Sequence, residues 1–166
     1  MSRCSLMGAV LALGLGAGGV SAQDATFMVK MMTPETALVA AQAALKKCRA
    51  DGYQVAVAVV DRGGVTQVVL RDRFAGPHTP DMAVAKAWTA MTFRTHTTDL
   101  ARESQAGRPM SGIRQRPGVA AVGGGLLIEG AGVLLGGIGV SGAPGGDRDD
   151  ECARAGIAAI DASINF

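Results

Sequence analysis

The chain has 166 residues, with 16 Lys and Arg against 14 Asp and Glu, and 48% of it is hydrophobic. That length holds one domain with a real core and is too short for two. The near balance of charge excludes a nucleic-acid binder, which needs a strongly basic face.

The N-terminus reads as an address rather than as part of the domain. Met1-Ser-Arg3 is a basic start, Leu6 to Val20 is uncharged and rich in Leu, Ala and Gly, and Val20-Ser21-Ala22 supplies small residues at a cleavage point. This pattern predicts a secretory signal over residues 1–22 and a single domain over 23–166, periplasmic or secreted. The apolar run falls short of the ~20 residues a spanning helix needs, so no membrane insertion is expected once the signal is cut. Cys4 precedes the apolar run, unlike the lipid-bearing cysteine of a lipoprotein. Without Arg3 the 16 basic residues become 15, one more than the 14 acidic ones, so the mature chain carries +1.

Thr33-Pro34 reads as an N-cap followed by proline at the first helical position. Leu38, Ala41, Leu45 and Cys48 recur at helical spacing, and Asp51-Gly52 closes the helix. Gln54 to Val60 is a nearly continuous apolar run, the pattern of a central strand buried on both faces. Asp61-Arg62-Gly63-Gly64 predicts a tight hairpin turn to a partner strand, Val65 to Arg71. A loop over 72–80 leads to a helix at about 81–93, and a short helix is expected at about 98–103. Residues 104–118 contain Gly107, Pro109, Gly112, Pro117 and Gly118 without periodicity, so an irregular segment is expected. Arg102, Arg108, Arg114 and Arg116 cluster there, either as a solvated loop or as a docking surface for an anion.

Three further strands are predicted, Val119 to Val122, Leu126 to Glu129 and Val133 to Val140, and then one helix over about 147–164. The order gives an α+β fold with a five-stranded antiparallel sheet and helices on both faces. Gly136, Gly137 and Gly139 lie inside the last strand, where glycine costs backbone entropy and offers nothing to pack. Such a strand is expected where a helix, another backbone or a ligand approaches closely, and it marks one wall of any site.

Few residues carry chemistry. Cys48 and Cys152 fall on helices at opposite ends of the sequence; they form either a disulfide or two buried thiols. His78 lies at a loop tip, as a metal or haem ligand or as a plain polar loop residue, and His96 lies near a helix end. No Cys/His spacing suggests zinc. Val140-Ser141-Gly142 lacks the frame of a serine hydrolase elbow. The loop Gly142 to Gly146 lacks the Lys-Ser/Thr of a phosphate-binding loop, and the acids after it oppose phosphate, so it reads as a flexible helix entry. Lys86 on a mostly apolar helix either pairs with a ligand carboxylate or snorkels to water.

Several separated motifs agree with one family. Val57-Ala-Val-Val-Asp61-Arg-Gly-Gly64, Arg71-Asp72-Arg-Phe-Ala-Gly76, Ala85-Lys86-Ala-Trp-Thr-Ala90 with Phe93, Gly123-Gly-Gly125, and Gly139-Val-Ser-Gly142 with Asp150-x-x-Ala153 resemble the GlcG/HbpS family of small haem-binding proteins. The resemblance covers about Thr33 to Ile164. It implies a profilin-like sandwich, homo-oligomers, and haem or a related tetrapyrrole as ligand and cofactor. It also implies a pocket at Arg71, Phe74, His78, Lys86, Thr89 and Phe93. There His78 would meet the iron, with His96 as second candidate, and Arg71 and Lys86 would meet the propionates. The function expected is an exported small-ligand-binding protein for uptake, buffering or redox sensing. An enzyme or accessory subunit acting on a small carboxylate, and a structural oligomerisation module, stay open beside it.

Overall fold

Four strands form one antiparallel sheet in the order β2–β1–β4–β3, in a computed structural model that describes residues 25–165. The predicted signal segment, residues 1–22, lies outside the described residues. The strands are β1 (Ala56–Asp61), β2 (Thr66–Arg71), β3 (Gly125–Gly130) and β4 (Val133–Ser141). The helices are α1 (Pro34–Ala50), α2 (Thr79–Phe93), α3 (Thr97–Glu103), α4 (Gly146–Ala158) and α5 (Asp161–Ile164), with a 3-10 turn at Ser111–Gln115. Among the described residues no helix is long and apolar enough to cross a membrane.

Local chemistry sets most of these boundaries. Thr33 caps α1, its hydroxyl accepting from the Thr36 N–H at 3.3 Å, which satisfies one of the orphan donors of the first turn. In the β1–β2 hairpin one carboxylate oxygen of Asp61 accepts from the N–H groups of Gly63 at 2.8 Å and Val65 at 2.9 Å. The β3–β4 turn places Ala131 and Gly132 at φ values of 49° and 74°, the twist that suits a two-residue hairpin.

The two faces of the sheet differ in bulk. Val57, Val59, Leu126, Ile128, Ile138 and Val140 point to the side covered by α1, α4 and α5, and there they form the main core. The opposite face presents Ala56, Ala58, Gly137 and Gly139, and α2 lies on it. A Cβ added at Gly139 would come within 2.0 Å of the Ala83 carbonyl oxygen, and one at Gly137 within 2.7 Å of that of Ala87. The glycine-rich strand therefore serves the close approach of a helix. Cys48 of α1 and Cys152 of α4 are joined as a disulfide, with Cα atoms 5.5 Å apart.

Two expectations are corrected. Val119–Val122 is not a fifth strand: the buried Ala120 N–H donates to the Thr89 hydroxyl at 2.9 Å, and the Val122 N–H turns back to the Ala120 carbonyl. Those donors are spent on α2 and on a local turn, so no ladder forms. The last helix is also not continuous. It breaks at Ala159 and Ile160, which lets Ile160 and Ile164 both enter the core.

Candidate functional site

The loop from β2 to α2 is held from beneath. Asp72 is 1% exposed and accepts from the Arg49 guanidinium through Nε at 2.7 Å and Nη2 at 2.9 Å. The Arg73 N–H adds a third bond to the same carboxylate. The Arg49 hydrogen bonds hold the Asp72 carboxyl below its usual range against the effect of burial. Arg71 braces the loop from the other side by donating to the Ala75 carbonyl, and the Thr79 hydroxyl donates to the Gly76 carbonyl at 2.7 Å.

This loop presents His78 at the start of α2, exposed and with no capping hydrogen bond from its side chain. The ring lies against Gly76, where a Cβ would come within 2.8 Å of Cε1 and 3.0 Å of Nδ1. His78, Met82 and Val122 are shared by two open clefts. One, of about 420 Å³, runs inward along Gly76, Thr79, Lys86, Ser141 and Asp149 to the loop 142–146. The other, of about 440 Å³, follows Asp81, Ala85 and residues 118–121. Both volumes fall within the range of small-molecule sites.

The inner cleft ends in a buried ion pair. Lys86, 3% exposed, donates to Asp149 Oδ2 at 2.7 Å and to the Val140 carbonyl at 2.9 Å. Asp149 also accepts from the Ala143 N–H at 3.1 Å. Burial pushes the Asp149 carboxyl up, opposed by the charge and hydrogen bond of Lys86. Its neighbour Asp150 accepts from the Gly124 N–H at 2.6 Å and the Thr98 hydroxyl at 2.5 Å. α2, α3, α4 and the Gly123–Gly125 segment therefore meet at one charged knot.

Of the six residues expected around a pocket, His78 and Lys86 share the inner cleft. Arg71, Phe74, Thr89 and Phe93 line neither cleft. Arg71 is engaged with the loop carbonyl and Thr89 with Ala120 and Gly118. Phe74 is 80% exposed on the loop, and Phe93 is half-buried at the far end of α2. His96 stands apart, at the N-cap of α3, where Nδ1 accepts from the Leu127 N–H at 3.3 Å. Among the described residues no group of three or more His, Cys, Asp and Glu is arranged to hold a metal ion.

The family model described as haem degrading protein HbpS-like matches residues 32–158. The chain belongs to this family. It is similar to a double mutant of HbpS from Streptomyces reticuli, at 40% identity and a TM-score of 0.75, over 86% of this chain and 96% of that one. It is similar to PduOC, solved as a haem complex, at 29% identity and a TM-score of 0.74, over 79% of this chain and 96% of that one. The corrinoid adenosyltransferase PduO of Salmonella typhimurium is 32% identical over 121 residues, 72% of this chain and 36% of the relative. The chain thus spans about a third of the length of the curated relatives it matches.

Within this HbpS-like chain, sequence reasoning missed Arg49, Asp72, Ser141 and Asp149 as parts of the site. In the sequence Asp149 is one of several acids at the start of a helix, a set that suits the positive end of its dipole. Its partnership with Lys86 spans 63 positions, and no local pattern signals it. The arginine-bearing segment resolves into separate tasks. Arg114 donates to the carbonyls of Ser104 and Ala101, and Arg116 stacks 5.0 Å over the Trp88 ring.

Proposed function

We propose that this HbpS-like chain is an exported, homo-oligomeric binding protein for haem or a related tetrapyrrole, acting in uptake, buffering or redox sensing. The observation that carries the reading is His78, an exposed imidazole on a braced loop that lines two adjoining clefts. Family membership and the haem complex of PduOC support the ligand class. Residues 1–22 support export, while oligomer formation and a profilin-like kinship rest on the resemblance.

The residues suit such a ligand. His78 offers a ring nitrogen to iron, and Met82 and Val122, which line both clefts with it, offer apolar surface to a planar macrocycle. Bound haem would supply one-electron chemistry at its iron. The chain's own part is to fix the imidazole: Gly76 backs the ring, and the Arg49–Asp72 bridge anchors the loop that carries it.

A haemin titration followed at the Soret band tests the reading. His78→Ala should weaken binding at least tenfold and change the spectrum, while His96→Ala should change neither. Gly76→Ala, which pushes the ring aside without removing it, should give an intermediate affinity. Equal spectra and affinities for wild type and His78→Ala would reject His78 as the ligand. A parallel cobalamin titration distinguishes a corrinoid from haem.

A further inference from the structure

The outer cleft continues along α2 towards Trp88. A neighbouring cleft of about 270 Å³ lies against Val84 and Trp88, and the two share Asp81, Ala85 and Gly118. His78, Asp81, Met82, Ala85 and Trp88 recur at helical spacing, so they lie along one stripe of the helix. From His78 to Trp88 that stripe runs about 15 Å. The opposite wall is the backbone from Gly118 to Val122, pinned to α2 by the buried Thr89. Its hydroxyl accepts from the Ala120 N–H at 2.9 Å and donates to the Gly118 carbonyl at 3.4 Å. The two clefts together form one elongated trough.

The far end of the trough carries a cation. The Trp88 ring is bracketed by Gly64 and Gly118, where added Cβ atoms would lie 3.2 Å and 3.9 Å from it. The Arg116 guanidinium lies 5.0 Å from the centroid of that ring, and its Nη1 donates to the Pro117 carbonyl at 3.0 Å. Contact with the ring face holds the charge in place. Among the described residues its other N–H groups have no acceptor and it has no acidic partner. Arg49, Arg102, Arg108, Arg148 and Arg154 each have one. The inner cleft offers no such charge, since Lys86 is matched by Asp149. Asp81, the acid of the outer trough, stands about two helical turns before Trp88, at the His78 end.

We infer that Arg116 is the propionate-binding residue of this chain and that the macrocycle lies with its carboxylate edge towards Trp88. The inference rests on the haem reading. Met82 and Val122, common to both clefts, then touch the body of the ring, and its apolar edge turns to the inner cleft. A guanidinium suits a carboxylate through paired N–H donors, and one already held over Trp88 loses little freedom on binding. Charge therefore fixes which way round the ligand sits, a choice that a bond from imidazole to iron leaves open.

Soret titrations with haemin and with haemin dimethyl ester, whose propionates carry no charge, read the contact. Wild type should bind haemin more tightly than the ester. Arg116→Gln should lower haemin affinity about tenfold, the order of one hydrogen bond to a charged group, and leave ester affinity unchanged. Arg116→Lys should recover part of the loss, because the charge returns without the fork. Equal losses for both ligands in Arg116→Gln would show a merely structural role and overturn the inference. No loss for either ligand would overturn it as well and leave the haem reading standing. Ala85→Phe fills the trough midway and should weaken haemin at least tenfold; an unchanged affinity in that variant would place the macrocycle elsewhere and overturn the inference. Iron-free protoporphyrin IX, followed by its fluorescence, separates this contact from the iron ligand. Its affinity should fall in Arg116→Gln and hold in His78→Ala. That result, with a haemin spectrum indifferent to His78→Ala, would keep the propionate contact and reject only the imidazole ligand. No binding of either porphyrin by wild type would reject the haem reading and this inference with it.

Discussion

Lys86 Nζ lies 2.7 Å from Asp149 Oδ2, and both side chains are 4% exposed. The pair joins the helix on one face of the sheet to the helix on the other, so both faces share one electrostatic tie. It also changes the expected role of Lys86: a lysine already matched by a buried carboxylate is part of the cleft's frame. Two charges out of water are tolerated only as a pair, and a lone survivor is costly. Lys86→Met or Asp149→Leu alone should therefore destabilise the protein by about 3–5 kcal/mol. Lys86→Met combined with Asp149→Leu should recover most of that loss. Urea unfolding of the four proteins reads this as a coupling energy, and strictly additive losses would show that the pair is not a unit.

The Arg49–Asp72 bridge makes a pH-dependent contribution of known sign. The Asp72 carboxyl titrates below its usual range in the folded protein, chiefly through its hydrogen bonds to Arg49. A depressed folded value stabilises the protein above the unfolded value of about 3.9 and is lost as pH falls from there through the folded value. Asp72→Asn should therefore cost about 1–2 kcal/mol at neutral pH, a modest figure because Arg49 is half exposed to solvent. The gap between wild type and variant should shrink as pH drops from 5 towards 3. Urea midpoints measured across that range decide it, since any effect of Asp149 is common to both proteins. A gap that is constant with pH would remove the bridge from the account.

What could be read in advance was whatever a short stretch of sequence decides by itself. The Thr33 cap, the Asp61 turn and the demand of Gly137 and Gly139 for a close neighbour all follow from single-residue physics. The fifth strand failed because apolarity in Val119–Val122 says nothing about where its N–H groups go; one of them goes to Thr89, 31 positions away. The charged knot was hidden for the same reason. Lys86, Asp149, Asp150 and Thr98 meet only after the sheet has set the distance between α2 and α4. His78 stood out because a rare residue type at a loop tip is visible without any partner.

Gly139 is the position where the sheet and α2 are most closely fitted. A methyl group there would sit 2.0 Å from the Ala83 carbonyl oxygen and 2.6 Å from the Ala87 nitrogen, both of them backbone atoms. Neither can rotate away, so the helix itself must move. Gly139→Ala should cost about 1–3 kcal/mol or more as overpacking, despite the lower entropy cost of alanine in a strand. The displaced helix carries His78, so ligand affinity should fall together with stability. Gly112→Ala, in open space on the 104–118 segment, is the control and should leave both unchanged.

The disulfide closes a long loop. Cys48 and Cys152 are 104 positions apart, both fully buried, and their bond joins α1 to the helix that carries Asp149 and Asp150. Cross-links across about a hundred residues remove about 4–5 kcal/mol of loop-closure entropy from the unfolded chain in the simplest model, and measured losses fall nearer 2–4. Cys48→Ala with Cys152→Ala should therefore lower stability by about 2–4 kcal/mol, two small buried apolar groups taking the place of the bridge. Because both sulfurs are shielded, dithiothreitol should reduce the native protein only as fast as α1 and α4 separate. Ligand that holds the cleft closed around α4 should slow that reaction further. Thiol labelling against time, with and without haemin, measures both rates. Reduction at the speed of an exposed disulfide would mean that the α1–α4 seam opens freely and contributes little to holding the site.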